Sequence, residues 1–509
     1  MADQNTWLDT VHPAYAAKAP HWAFCRQSYE GGPEYFGANL FKFRLEDEAD
    51  FAERRKRASR YNFTRQVVDI TNDHLFKVPP TRKVDAAPDA VKRFWNRATK
   101  GKGANGIEVF VREVAKWTKV EGRLYVVIDV PSAGGIVPAT EADRLERGLE
   151  PYAYYIHPDD MLDIAYDEDG KILWAKVRER YRDDADPKKA SDAYEERYRL
   201  WERGKWSLWR KKKNDKTGTV EAELIEEGEI SFDEVPIVIV EHQDGDDYTS
   251  PGLIDDVAYL DRDIFNLGSE LTETISQQTF GQLIMPSDAF PSDMNEEMLG
   301  KYLAVGKRRV LVYWAEAKSP PQYISPDASQ GGLILSTIDK RIGWLYDAVN
   351  LGSEVGREKT TSASGVSKAY DFATLEGGLV TSATELESAE MEMARFVDLW
   401  TGGTGELPEG LVSYSRTFDV VSLNQALTEA LSLQVVLEEA SPTAMAELRK
   451  QLAAKGLDKV DAKTMKQIVD EIDAYAATER LGPPEVEPVD EVIEVENGGL
   501  AGAVRPTSG

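Results

Sequence analysis

The chain has 509 residues, with 89 acidic against 61 basic side chains and a formal net charge of −28, which disfavours simple electrostatic adsorption to nucleic acid. Its one cysteine, Cys25, excludes an intrachain disulfide and a cysteine-rich zinc site and reads as a small buried apolar residue. The longest apolar runs, 124–130 and 236–240, are strand-sized against the roughly 18–20 residues that cross a bilayer, and residues 1–10 lack the order of a secretory signal, so cytoplasmic synthesis without a membrane partner is expected.

The length predicts three or four structural units of about 100–200 residues each. Residues 1–50 mix Trp7, Trp22, Tyr35, Phe36, Phe41 and Phe43 with Pro and Gly and predict an arm that packs onto other parts. Residues 51–76 read as a helix stopped by Pro79-Pro80. A second helix over 106–120 carries Ile107, Phe110, Val111, Val114 and Trp117 on one face, ends at Gly122, and precedes a strand over 124–130. From 151 to 242 the period changes to two. Strands are expected near 153–156, 172–180, 196–201, 206–210 and 235–241, joined by turns such as Asp169-Gly170 and Arg203-Gly204, which makes a β-meander in an α+β domain.

The stretch 253–400 reads as helix, insertion, helix, polar loop and one very long helix. The first helix opens at Ser250-Pro251 and carries Leu253, Val257, Leu260, Ile264, Leu267 and Leu271. The second follows Gly331-Gly332 with Leu335, Ile338, Ile342, Leu345 and Val349. Matched seams imply packed, antiparallel rods, and the insertion 281–330, rich in Pro and Met, caps them at one end. Residues 352–364 form a polar loop with Arg357 and Lys359 near its middle. Residues 365–400 then keep helical spacing for more than about 50 Å at about 1.5 Å per residue, with Gly377-Gly378 as a candidate flexing point. One strand over 411–420 returns to the α+β domain, three short helices follow over 423–475, and 482–509 is an acidic tail.

Sites of chemistry are sparse. Arg54, Arg55, Lys56, Arg57 and Arg60 form the densest basic cluster, either a solvated helix with local ion pairs or a nucleic-acid or partner contact. The glycine pairs at 31–32 and 101–103 lack phosphate-loop spacing and read as turns. Asp167, Glu168 and Asp169 read as a hairpin turn, and Asp244, Asp246 and Asp247 as carboxylates preceding a helix. The five histidines fall at no HExxH-type spacing and no GxSxG elbow occurs, so no catalytic residue, metal or cofactor is expected.

Three segments in fixed order, RYNFTRQVVDITNDHLFKVPP, VPIVIVEH before SPGLIDDVAYLDRDIFNLGSEL, and TSASGVSKAYDFATLEGGL opening the long helix, resemble the portal proteins of tailed bacteriophages over roughly 51–475. The resemblance implies a non-enzymatic α+β portal fold with an α/β wing, a two-helix stem, a small clip, a long kinked wing helix and an α-helical crown. Carried onto this chain, the parts are an arm (1–50), the wing (51–247 with the long helix and return strand, 365–421), stem helices (248–280 and 331–351), the clip (281–330), a tunnel loop (352–364), the crown (422–481) and the tail (482–509). It further implies a twelve-subunit ring at the unique capsid vertex of the virion, made in the host bacterial cytoplasm. Double-stranded DNA would pass through its channel. Its other partners would be the terminase large subunit, a head–tail adaptor, and the major capsid and scaffolding proteins. Under this reading Arg357, Lys359, Lys340 and Arg341 contact DNA in the channel. Gly377 and Gly378 flex, and Met285, Phe290, Met294, Met298 and Tyr302 of the clip dock partners or serve only ring contacts. The alternative is a metal-dependent nucleic-acid-processing enzyme whose carboxylates come from Asp159, Asp160, Asp163 and Asp167.

Overall fold

The computed structural model describes residues 7–101, 103–131, 141–182, 194–213, 219–279, 282–286, 311–313, 322–324, 329–351, 365–418, 441–456 and 462–480. They belong to two units, Met1–Phe418 and Asp419–Gly509. In the first, the arm is helical. Pro13 opens the helix Pro13–Glu30, which turns at Gly31 and Gly32, both at positive φ, into a second helix, Gly32–Asn39. Tyr15, Trp22, Cys25 and Tyr35 are fully buried, so this segment is core. The expected helix over 51–76 is two helices, Glu48–Arg57 and Phe63–Leu75. Asp47 and Asn62 each cap one by accepting a backbone N–H three residues on, at 2.8 and 2.9 Å. The first strand, β1 (Thr81–Arg82), follows.

The helix Ile107–Glu121 ends at Gly122, whose φ of 83° favours glycine. A Cβ there would lie 2.0 Å from the Ser250 carbonyl oxygen, so glycine is also required by the close approach of the two chains. The chain enters β2 (Arg123–Asp129), whose seven residues are all buried. It is the central strand of an antiparallel sheet in the order β3-β2-β9, with β3 at Tyr152–Ile156 and β9 at Ile237–Glu241. Side chains alternate across β2. Leu124, Val126 and Ile128 join the helical core, while Tyr125 and Val127 join a second core with Tyr15, Trp22 and a neighbouring five-stranded sheet. Cover on both faces explains an uninterrupted apolar run.

That second sheet is the antiparallel meander β4 (Met161–Tyr166), β5 (Ile172–Tyr181), β6 (Glu195–Glu202), β7 (Lys205–Lys213) and β8 (Val220–Glu229). The expected single meander is therefore two sheets, and β4 and β8 were missing from it. A register shift between Met161 and Asp163 breaks the alternation of β4. The edge strand β8 carries glutamates at 221, 223, 226, 227 and 229, a charge density that guards an edge and hides its period.

Two rods follow, Val257–Thr279 and Ser329–Ala348. Helix begins at Val257, not after Ser250-Pro251, and the Ser250 hydroxyl instead accepts from Arg123 and donates to Glu241. Between the rods lie β10 (Gln282–Pro286), β11 (Leu311–Tyr313) and β12 (Gln322–Ile324), with β10 central, parallel to β11 and antiparallel to β12. Because Gln282 pairs with Ile324, the chain leaves and returns at one place, and the rods run antiparallel. The second seam uses Ile334, packed on the core, while Leu335 is exposed. Two adjacent apolar residues both fit a helical spacing, and packing selects one.

The long helix, Gly365–Trp400, is unbroken through Gly377 and Gly378, both exposed. Leu375, Leu379, Ala383, Leu386, Met393 and Val397 form its buried stripe. Trp400 donates to the Ile128 carbonyl at 2.8 Å and ties its end to β2. The return strand is only Val412–Ser413 and pairs with β1, not with the meander. Arg82 of β1 meets Glu390 of the long helix at 2.5 Å, and the Tyr414 hydroxyl donates to the same buried carboxylate at 2.9 Å. In the second unit, Ser441 accepts the Ala444 N–H at the start of Pro442–Gly456, and Lys450 pairs with Asp473 of Ala462–Arg480 at 2.6 Å. The acidic tail and the first expected helix after residue 423 lie outside the described residues.

Candidate functional site

The first rod takes up three members of the basic cluster. Arg60 and Asp261 are almost fully buried and meet at 2.5 Å, Asp261 also accepts the Thr64 N–H and hydroxyl at 2.9 and 2.6 Å, and Arg60 lies over the Tyr35 ring. Arg54, also buried, binds Glu46, the Ser269 hydroxyl and the Phe41 carbonyl and stacks on Phe43. Arg57 pairs with Glu273 at 2.8 Å, and Lys56 with Glu53 at 3.0 Å. The expected solvated helix with local ion pairs holds for Arg55 and for Lys56 with Glu53, while Arg54, Arg57 and Arg60 instead clamp the first rod to the body. The signal in the sequence was the set of acids and hydroxyls at 261, 269 and 273, one face of the rod.

The rods also carry a more exposed side. Asp263 and Arg341 form an ion pair across them, both partly exposed, and Lys340 is exposed beside it. Ile275, Leu333, Leu335 and Trp344 expose half or more of their surface. The three strands at the tip place Met285 in β10 opposite Val312. Phe290, Met294, Met298 and Tyr302 lie outside the described residues, as do Arg357 and Lys359. Thus, of the four residues expected at a channel, two are adjacent on one rod, one of them already paired.

The carboxylates of the enzyme alternative are dispersed among separate partners. Asp159 pairs with Arg26 at 2.7 Å, Asp160 with Arg178 at 2.9 Å and Asp167 with Arg203 at 2.5 Å, while Asp163 accepts the Ile164 N–H. Asp167 also closes the hairpin by accepting from Asp169 and Lys171, and these bonds with Arg203 hold its carboxyl below the usual range. Asp246 likewise accepts from Tyr248 and Thr249, which lowers its pKa, and it belongs to a turn well before the rod. A cavity of about 410 Å³ lies between the two sheets, lined by Asp129, Tyr152, Tyr154, His157, Arg178 and Arg199 among others. Most of its polar groups are engaged, Arg199 with Glu179 at 2.6 Å, His157 with Glu121 at 2.7 Å and Tyr152 with Asp129 at 3.1 Å, while the buried Tyr154 hydroxyl has no hydrogen-bond partner. Burial raises the Asp129 pKa, favouring the neutral acid.

Two buried bases sit near the root as well. Lys119 donates to Asn72 at 3.1 Å and to the Ala115 carbonyl, and burial pushes it down to about 7. His242 is pushed down to about 4 by burial and by Lys119. One grouping went unread in the sequence: His21 and Cys25, four residues apart on one helix, meet Asp255, and among the described residues these three are the one set able to offer nitrogen, sulfur and oxygen together to a metal. The i, i+4 spacing was the available signal.

The geometry therefore defines a mixed α+β protein with antiparallel sheets in its body and a projecting helix pair. No helix among the described residues is long and apolar enough to cross a membrane. No family model and no curated protein matches the chain. Among solved structures it is similar to the neck of an empty GTA particle computed with C6 symmetry, at 12% identity and a TM-score of 0.36, over 87% of this chain and 98% of that one. An overlay that loose carries no argument about fold or function.

Proposed function

We propose that this chain is a non-enzymatic portal protein of a tailed-phage-like particle, a ring through which double-stranded DNA is packaged and ejected. The observation that carries the reading is the rod pair: its root is locked into an α+β body by buried ion pairs, while its outer half exposes Ile275, Leu333 and Leu335. Apolar side chains in that number on a projecting element call for cover, and identical neighbours in a closed ring supply it without an unpaired edge. In this reading the rods are the stem, the β10–β12 segment is the clip that docks terminase and later the head–tail adaptor, and residues 442–480 belong to the crown. Lys340, Arg341, Arg357 and Lys359 make transient phosphate contacts, and the chain's net charge of −28 suits a conduit in which DNA must slide and not be gripped. Gly377 and Gly378 are the flexing point of the long helix.

Negative-stain microscopy of the purified chain tests this. Rings with a central hole are expected; a compact monomer with metal-dependent nuclease activity would favour the enzyme alternative and overturn the portal. For the channel residues, Arg357→Glu with Lys359→Glu is expected to impair DNA packaging. Normal packaging, with both side chains outside the bore in a ring structure, defeats that assignment.

A further inference from the structure

We propose that His21, Cys25 and Asp255 form a zinc site that staples the amino-terminal helix to the turn leading into the first rod. The three ligand atoms all lie within 4.8 Å of one another. His21 Nε2 is 3.6 Å from Cys25 Sγ and 2.9 Å from Asp255 Oδ1. Zinc bonds of about 2.0–2.3 Å in a tetrahedron put ligand atoms about 3.3–3.7 Å apart. The sulfur–nitrogen spacing already fits, and the histidine–carboxylate spacing, now that of a hydrogen bond, opens by a few tenths of an ångström when the metal replaces the proton.

The surroundings suit the exchange. His21 Nδ1 is 3.2 Å from the Tyr259 hydroxyl, which either donates to it or accepts from it. Without metal, Nε2–H donates to Asp255 and Nδ1 accepts from Tyr259. With metal, Nε2 ligates and Nδ1–H donates to the Tyr259 hydroxyl, a bond that fixes the ring's tautomer and orientation toward the metal. The Cys25 thiol is buried, and its proton leaves to solvent as the thiolate coordinates. Zinc with one thiolate, one carboxylate and one neutral imidazole is electrically neutral, a form that a partly buried site tolerates. His21 and Asp255 keep part of their side chains in water, at 17% and 24%, so the metal has an entry and room for a fourth ligand. Lys18 Nζ, 3.5 Å from Asp255 Oδ2, competes with the metal for that carboxylate. The donor set, one nitrogen, one sulfur and one oxygen, favours zinc over magnesium or calcium.

Cobalt(II) serves as the optical probe. Added to the full-length, chelator-treated chain, it is expected to give a thiolate-to-cobalt charge-transfer band that saturates at one equivalent and is bleached by zinc. The chain holds one cysteine, so such a band can arise nowhere else. Cys25→Ser should abolish the band. His21→Gln and Asp255→Asn should each weaken cobalt binding by about tenfold or more, and Tyr259→Phe by about tenfold. Lys18→Met should tighten it, and zinc should raise the melting temperature of the wild type by mass action. Absence of the band from the wild-type protein, or cobalt binding untouched by both H21Q and D255N, overturns the proposal, and the wild-type spectrum decides even if a variant fails to fold.

Discussion

The two ends of the same pair of rods solve opposite problems. At the root, Val257, Phe265, Leu345 and Tyr346 are buried and Arg60 and Arg54 meet the counter-charges of Asp261 and Glu46. At the outer half, toward the β10–β12 strands, Ile275 is 53% and Leu333 69% exposed. Sequence periodicity runs through both halves without change. The difference teaches that a helical stripe states only which side of a rod is apolar; what covers it, this chain or another, is a property of the surroundings.

The contrast can be broken most sharply at Asp261. Asp261→Ala leaves Arg60 buried without its counter-charge and is expected to cost about 3–5 kcal/mol in urea unfolding; a loss below about 1 kcal/mol would mean that the root is not dry. Leu345→Ala, at a fully buried position, should cost about 2–5 kcal/mol through transfer and cavity. Next comes pH. Lys119 is lowered from its ordinary value to about 7, so the unfolded chain binds the extra proton between there and about pH 10, and stability should rise with pH over that window by up to about 1.4 kcal/mol per unit. Lys119→Met should flatten that slope, measured by denaturation at a series of pH values. His242 adds to the loss on the acid side: lowered to about 4, it contributes stability present above its unfolded pKa of about 6.5 and lost as pH falls toward 4. On the exposed side and at the outer half the effects shrink. Arg341→Ala should cost no more than about 1 kcal/mol, as exposed pairs do. Leu333→Ser with Leu335→Ser should shift monomer stability by about 0.5 kcal/mol or less, yet reduce the assembled fraction in sedimentation velocity. If both halves respond alike, the distinction between root and outer half fails.

Much of the layout was legible in the chain itself. The apolar run of β2, the glycine stop at Gly122, the hairpin at Asp169-Gly170, the helix from Gly365 to Trp400 and the antiparallel rods all follow from local spacing and turn chemistry. Less legible were the edge strand β8, whose glutamates mask its period, the register-shifted β4, and the break between Arg57 and Phe63. The candidate site was harder still. The basic cluster reads as a surface feature until Asp261, Ser269 and Glu273, some 200 residues away, are seen to take its charges. The His21, Cys25 and Asp255 grouping likewise needs two segments that only folding joins.

By itself, then, the sequence determined the elements whose cause is local: periodic apolar faces, capped helix starts, glycine turns, and the acidic balance that discourages tight binding of a polyanion. Only the tertiary structure decided which of two adjacent apolar residues, Ile334 or Leu335, joins the seam, that the meander is two sheets, and that Arg54 and Arg60 face inward. The physical reason is one of range. Backbone preference and side-chain period act over a few residues, whereas the partner of a buried charge is chosen by whatever the fold brings within about 3 Å of it.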